Sequence, residues 1–217
     1  MALFTALAAL VASGALSGAD QWSVDHLMPG LGPASSSTSL LNSAFPIFDP
    51  DKQRGHEVAA AVTYGIVWIA SAIPAMLLVG GAAVILWRRG RRGPAIALLA
   101  WFLLANVVEI VGKRAIARPR LFDRVGSDTF PIVPFDHSFA SGHEIRAVVL
   151  AACLVTVASG LWPLALAWLC AVTIVLVTGG WHTPTDVLGG LLVAVGLGAA
   201  AFGCAQALEH RRRGTEA

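Results

Sequence analysis

The sequence predicts an all-α protein, a polytopic membrane helix bundle of about six transmembrane helices. The chain has 217 residues, of which 56% are hydrophobic and only 13% are charged. Soluble domains carry roughly 25% charged residues, so this charge content is far below that of a water-soluble fold. Long apolar runs recur along the chain, and we interpret residues 1–217 as a single transmembrane domain.

The apolar runs define the candidate spans, since a helix needs roughly 20 residues to cross a hydrocarbon core of ~30 Å. Six runs qualify, over about Ala2–Leu16, Val58–Trp87, Pro94–Gly112, Glu144–Ser159, Leu161–Gly180 and Thr185–Leu208. The second run is longer than necessary, which favours a tilt or a kink at Pro74. The first run is short and ends in small residues, so it is either a span or a cleaved signal peptide.

Two arginine clusters indicate the orientation of the predicted bundle. They follow the second and the sixth span, at Arg88, Arg89, Arg91 and Arg92 and at Arg211, Arg212 and Arg213. Such flanks are typical of the cytoplasmic side of a membrane, so we expect no nucleic-acid partner. We predict an integral protein of the cell membrane in which residues 18–57 form an external loop, flexible or partly interfacial, and residues 113–186 carry polar motifs on the non-cytoplasmic face.

The first polar motif follows the third span. It holds four cations in eight residues, Lys113-Arg114-Ala115-Ile116-Ala117-Arg118-Pro119-Arg120. Arginine binds phosphate oxygens in bidentate fashion and lysine adds a point charge. A basic patch for lipid headgroups is the alternative, but such patches belong to the cytoplasmic side, so we favour phosphate binding. Glu109, four residues before Lys113, is expected to pair with the lysine and aim it.

Two further motifs lie at the same predicted face. Ser141, Gly142 and His143 precede the fourth span, where the free N–H groups of a helix N-terminus can bind phosphate; the alternative is an ordinary N-cap. His182 and Asp186 are one helical turn apart, so the carboxylate can fix the imidazole tautomer; the alternative is a capping interaction. Three outer helix ends can converge on one pocket.

The sequence gives little support for a metal site, because His182 and Asp186 at i, i+4 could ligate a metal but no further Cys or His ligands lie near them in the sequence. His143-Glu144 begins like a zinc-protease helix, but position 147 is alanine, so the HExxH pattern fails. The cysteines lie singly in apolar runs, at positions 153, 170 and 204, with no spacing for a metal or a disulfide framework. We therefore predict no metal and no other cofactor.

The three motifs, taken in order, resemble the type 2 phosphatidic acid phosphatase superfamily, the membrane lipid phosphatases related to vanadium haloperoxidases. The family pattern is Lys-x6-Arg-Pro, then Pro-Ser-Gly-His, then Ser-Arg-x5-His-x3-Asp. The matching residues are Lys113, Arg120, Ser141, Gly142, His143, His182 and Asp186. Ala140 and Leu121 stand where the family has prolines.

The resemblance implies a reaction and a role for each matching residue. His182 would attack phosphorus and form a phosphohistidine, Asp186 would orient it, and His143 would protonate the leaving lipid oxygen. The phosphate oxygens would be held by Lys113, Arg120, Ser141 and the Gly142 amide. The implied activity is metal-independent hydrolysis of a lipid phosphate or diphosphate, with a polyisoprenyl or a glycerolipid chain.

One arginine of the family pattern is missing. Leu176 stands in its place, and Val175 replaces the serine before it. We hypothesise that Arg146, one helical turn beyond His143, or Arg118 supplies the missing phosphate contact. The alternative for Arg146 is that it reaches out to lipid headgroups.

Three other functions remain open at this point. An acceptor alcohol in place of water at the phosphohistidine would make the protein a phosphotransferase. The loss of the family arginine at Leu176 favours a non-catalytic relative that binds lipid or a partner protein. A small transporter would place charges deep within the spans, where few occur beyond Glu109 and Asn106. The sequence leaves the lipid and the oligomeric state open.

Overall fold

The architecture comes from a computed structural model that describes residues 2–27, 62, 65–116, 118, 138–178 and 181–215. The regular structure in these residues is helical. The helices are α1 (Ala2–Ala12), α2 (Ser17–Leu27), α3 (Ala72–Arg88), α4 (Arg92–Ala115), α5 (Gly142–Val157), α6 (Trp162–Thr178) and α7 (Pro184–Thr215), with a 3-10 turn at Ser159–Leu161 before α6. Residues 65–68 are also helical.

Several of the described helices are long enough to cross a membrane. Three segments are long and apolar enough to cross a bilayer, namely Arg92–Ala115, Ser159–Thr178 and Pro184–Arg211. The α1–α2 pair would make a fourth if it is one broken span, and α3 is a shorter apolar helix. Large apolar side chains such as Leu103 and Ile174 are exposed on the outside of the bundle, as a lipid-facing surface requires. The prediction of an all-α membrane bundle is confirmed.

Helix α5 lies at the centre of the bundle and packs against α3, α4, α6 and α7. Most of its residues are buried, and the main apolar core joins them to α3, α4 and α7. Small residues bring α7 close to α4, since a Cβ atom on Gly198 would lie 2.7 Å from the Trp101 ring. Close approach over small residues is how helices pack where water cannot drive association.

Two predicted spans differ from the observed helices. The run from Val58 to Trp87 is interrupted at residues 69–71, and α3 starts afresh with Ser71 as its N-cap. Pro74 therefore lies in the first turn of α3, where the missing N–H is tolerated, and the predicted kink within one long helix is wrong. The run from Ala2 to Leu16 ends earlier, because α1 stops at Ala12 and α2 follows after an 80° bend.

Part of the predicted external loop is helical. Residues 18–27 belong to α2, and Asp20 and Ser23 on this helix are buried. Helix α2 therefore packs against the bundle rather than forming a free connection. The remainder of that loop, residues 28–57, lies outside the described residues.

The predicted arginine clusters and the predicted polar motifs lie at opposite ends of the bundle. Arg89 donates from Nη1 to the Val157 carbonyl, at the C-terminal end of α5, over 2.8 Å. The far end of α7 lies there too, since a Cβ atom on Gly93 would be 2.2 Å from Glu209 Oε1. His143 is in the first turn of α5, about 20 Å away along the axis. Which of these ends faces the cytoplasm stays a prediction.

Candidate active site

Three helix ends meet at one end of the bundle, as the motif positions predict. The imidazole ring centres of His143, at the start of α5, and His182, just before α7, are 6.4 Å apart. The Ser141 amide donates to the Asp186 carbonyl over 3.0 Å, which joins the entry of α5 to the first turn of α7. The end of α4 contributes Lys113, held by Glu109 one turn earlier.

The Ser-Gly-His segment is shaped by its immediate neighbours. Ser141 is the N-cap of α5, and its hydroxyl accepts from the Glu144 amide over 3.3 Å. Gly142 lies against α4, because a Cβ atom there would be 1.8 Å from Glu109 Oε1. On the other side, a Cβ atom on Gly190 of α7 would be 2.6 Å from the Ser141 carbonyl oxygen. At Gly190 a side chain would meet the backbone of the Ser-Gly-His segment, so glycine there lets α7 approach closely. At Gly142 a side chain would displace the Glu109 carboxylate or the N-terminus of α5.

Asp186 is fully buried behind His182. Its Oδ2 atom lies 3.7 Å from His182 Nδ1, within ion-pair range but beyond hydrogen-bond length. The same oxygen accepts from the Thr183 amide over 3.2 Å and from the Ser138 hydroxyl. No described residue accepts a hydrogen bond from, or donates one to, the buried Nδ1 of His182. Asp186 therefore faces the Nδ1 edge of the ring, and a small rotation would complete the contact.

Arg118 is a buried link between two carboxylates. Its Nη1 donates to Asp186 Oδ1 over 2.8 Å, and its Nη2 pairs with Asp20 of α2. Nη1 also donates to the Thr185 hydroxyl over 2.6 Å. The sequence-based hypothesis made Arg118 a candidate phosphate ligand, whereas the structure commits its guanidinium to carboxylate partners.

Like Arg118, Arg146 is buried and hydrogen-bonded to a carboxylate, here on the α4 side of the site. It donates from Nη1 to Glu109 Oε2 over 2.7 Å, and from Nε to the Ala70 carbonyl over 2.9 Å. Asn106 Oδ1 accepts from Nη1 over 3.2 Å. Arg146 therefore fastens α5 to α4 and to the turn before α3, and it is buried rather than extended towards headgroups. A phosphate contact for Arg146 stays a prediction.

Glu109 connects the two predicted cations on this side. Its Oε1 atom is 3.2 Å from Lys113 Nζ, which confirms the expected pairing along α4, while its Oε2 atom bonds Arg146. The lysine remains partly exposed, with 16% of its side chain accessible. Lys113 is therefore positioned by the carboxylate and keeps part of its side chain at the surface.

Leu176 occupies the position of the missing family arginine. Its side chain is completely buried in an apolar cluster with Val172 and Ala147. Its carbonyl accepts from the amides of Trp181 and His182 at 3.0 Å each, so the C-terminal part of α6 fixes the backbone that carries the second histidine. Arg120, the remaining predicted phosphate ligand, lies outside the described residues.

Sequence reasoning missed Asp20 as a member of this site. It is a lone acid near the start of the chain, 98 residues from Arg118, and no motif marks it. Ser138 lies three residues before Ser141, and its contact with Asp186 depends on how the chain returns to α7. In the part of the chain that the structure describes, no group of three His, Cys, Asp or Glu side chains converges to hold a metal ion.

The fold and the site define an integral membrane helix bundle with two histidines and a buried aspartate at one end. The chain belongs to the PAP2 superfamily, whose family model matches residues 94–209. The fold is similar to the crystal structure of a transmembrane PAP2-type phosphatidylglycerolphosphate phosphatase from Bacillus subtilis, with a TM-score of 0.57 and 24% identity over 96% of this chain and 93% of that chain. No curated protein matches the sequence.

Proposed function

We propose that this protein is a lipid phosphatase that hydrolyses a phosphate or diphosphate monoester through a phosphohistidine intermediate. The observation that carries the proposal is the pair of imidazoles with ring centres 6.4 Å apart. An attacking atom approaches phosphorus at about 3–3.5 Å, and a general acid lies about 2.6–3.2 Å from the oxygen it protonates. Rings at this separation can therefore flank one phosphoryl group.

In the first step His182 attacks and the lipid alcohol leaves. Asp186 faces Nδ1 of His182, so Nε2 is the free nucleophilic nitrogen. Nε2 forms a bond to phosphorus while the bond between phosphorus and the lipid oxygen breaks. His143 transfers a proton to that oxygen, so that the alcohol departs neutral.

In the second step water regenerates the enzyme. His143, now without its proton, takes a proton from a water molecule that attacks phosphorus from the side the lipid has left. The bond from phosphorus to Nε2 breaks, inorganic phosphate leaves and His143 is protonated again. Phosphoryl transfer depends mostly on positioning and charge stabilisation. Lys113, Arg120, the Ser141 hydroxyl and the Gly142 amide at the N-terminus of α5 would supply this stabilisation.

The position of the site supports a lipid substrate. The site lies at one end of helices whose outer faces are apolar and exposed, and α4 and α7, which contribute Lys113 and Asp186, are long enough to cross a bilayer. A substrate whose chain stays in the bilayer reaches such a site without leaving the membrane. The similar Bacillus subtilis structure is a phosphatidylglycerolphosphate phosphatase, which supports a glycerolipid phosphate; a polyisoprenyl phosphate fits the same geometry. We place the site on the non-cytoplasmic face of the cell membrane.

The direct test is phosphate release by the purified protein in detergent, with a metal chelator present, from a panel of glycerolipid and polyisoprenyl mono- and diphosphates. His182→Ala is expected to lower kcat by about 10³-fold or more, because the nucleophile is lost. His26→Ala is the matched control, since His26 is exposed on α2 and bonds only within its own helix in the described contacts. An acid-labile phosphoenzyme should accumulate in the wild type and be missing from His182→Ala.

The same experiment separates the competing functions. Phosphate transferred to an added alcohol instead of water would make the protein a phosphotransferase. The buried Leu176 in place of an arginine favours a non-catalytic relative, and lipid phosphate binding without turnover in the wild type would establish that function instead.

A further inference from the structure

Helix α2 brings an acidic side chain to the site from the far N-terminal part of the chain. Asp20 is only 2% exposed. Its carboxylate pairs with Arg118 Nη2 and accepts from the Thr185 hydroxyl at 2.9 Å to each oxygen. A buried carboxylate is costly unless it is paired, so these contacts hold α2 in place against α7.

The contact with Asp20 determines how Arg118 is shared. One guanidinium lies between two buried carboxylates, with Nη1 on Asp186 Oδ1 and Nη2 on Asp20. The carboxylates of Asp20 and Asp186 and the guanidinium of Arg118 together carry one net negative charge beside His182. Without Asp20, the neutral pair of Arg118 and Asp186 would remain, and the guanidinium would be free to turn both nitrogens onto Asp186.

We propose that Asp20 is a positioning residue for the reaction, a proposal that rests on the proposed function. Asp20 holds Arg118 in an end-on contact with Asp186, so that Asp186 Oδ2 stays directed towards His182 and its charge stays available to the imidazolium that forms. Asp20 touches neither phosphate nor imidazole. Its effect passes through Arg118 to Asp186 and from there to the nucleophile.

Helices α1 and α2 both contact residues of the candidate active site. Phe4 of α1 stacks on Phe139 with ring centres 6.0 Å apart, and Leu7 packs into the same cluster. Phe139 directly precedes the Ala-Ser-Gly-His segment, so α1 supports one side of the site while α2 supplies Asp20 to the other. Removal of the first apolar run together with α2 would remove both contacts.

The test is Asp20→Asn in the full-length protein, assayed on the best lipid phosphate from the panel. The carboxamide keeps the shape and removes the charge. We expect kcat to fall roughly tenfold to a hundredfold, as small misplacements of catalytic groups do, with KM within about twofold of the wild type. Ser23→Ala is the matched control, because Ser23 is equally buried on α2 but bonds only the Asp20 carbonyl in the described contacts. An unchanged kcat in folded Asp20→Asn would overturn the proposal.

A second measurement is independent of activity. Asp20→Asn and Asp186→Asn each leave Arg118 with one carboxylate, whereas the double variant leaves the buried guanidinium with neither. The loss of Tm in the double variant should therefore exceed the sum of the single losses; purely additive losses would contradict the network. If Asp20→Asn does not accumulate as folded protein, Thr185→Val replaces it, since this change removes a hydroxyl bonded to both Asp20 and Arg118 and keeps every charge. Here kcat should fall about threefold to tenfold, and wild-type turnover would overturn the proposal. A wild type without phosphatase activity but with coupled Tm losses would instead refute the proposed function alone.

Discussion

The charged side chains at the site fall into two groups, according to what remains open to a ligand. Arg118 and Arg146 are buried and hydrogen-bonded to carboxylates. Lys113 is also paired, but part of its side chain reaches the surface. Buried, paired guanidinium groups are costly to redirect, so we expect Lys113, with part of its side chain at the surface, to be more accessible to an incoming anion than either arginine. That Arg118 or Arg146 replaces the missing family arginine stays a prediction.

The proposed mechanism gives the two histidines separate roles, and the leaving group can distinguish them. His143→Ala should lower kcat on a lipid phosphate by about 10²–10⁴-fold, since the alkoxide then departs without a proton. On p-nitrophenyl phosphate the loss should be much smaller, because that leaving group needs little protonation. His182→Ala should abolish turnover of both substrates, so kcat on the two substrates is the measurement to compare. Equal losses for His143→Ala on both substrates would contradict its assignment as the acid.

The residues of this site lie at helix ends, and the position of these ends could be predicted from the sequence. A serine followed by Gly-His before an apolar run indicates an N-cap, and Ser141 is the N-cap of α5. The points where predicted spans are interrupted or bent could not be predicted from the sequence in this way. The interruption at residues 69–71 and the bend between α1 and α2 lie within or directly after apolar runs. Such runs are apolar on every face and therefore lack the periodic contrast from which helix boundaries are inferred.

The contact between α4 and α5 makes Gly142 sensitive to substitution. Gly142→Ala places a methyl group 1.8 Å from Glu109 Oε1, so the carboxylate or the helix N-terminus must move. We expect a loss of about 1–3 kcal/mol in the free energy of unfolding and a fall in kcat/KM of about tenfold or more. Gly81→Ala is the control, since a Cβ atom there has no neighbour within 4 Å, and it should leave stability unchanged or improve it by about 0.5–1 kcal/mol. Thermal unfolding in detergent and lipid phosphate turnover check both variants; a Gly142→Ala protein that behaves like Gly81→Ala would contradict this packing.

At the scale of the whole molecule, the site depends on contacts that no local pattern contains. Asp20 and Arg118 are 98 residues apart, and although Arg118 belongs to the basic motif, nothing in the sequence links it to the lone acid at Asp20. The even number of predicted crossings did, however, place both arginine clusters at one end, because charge and span count are additive along the chain. The pairing of two charges that are distant in sequence cannot be summed along the chain in this way, so it becomes visible only in the packed helices.

The orientation of the bundle in the membrane follows from the same separation of ends. The end of α7 carries Arg211 and lies beside the arginine turn between α3 and α4, while α2 lies at the end with the histidines. In a variant whose three native cysteines are replaced, Leu27→Cys should react with a membrane-impermeant maleimide on intact cells. His210→Cys should react only after the membrane is permeabilised, because the positive-inside tendency favours a cytoplasmic location for the arginine end. Both substituted side chains are exposed in the fold, so a missing reaction reports the membrane barrier. Labelling of His210→Cys on intact cells, with Leu27→Cys protected, would show that the bundle has the opposite orientation. The site of the proposed phosphate release would then face the cytoplasm.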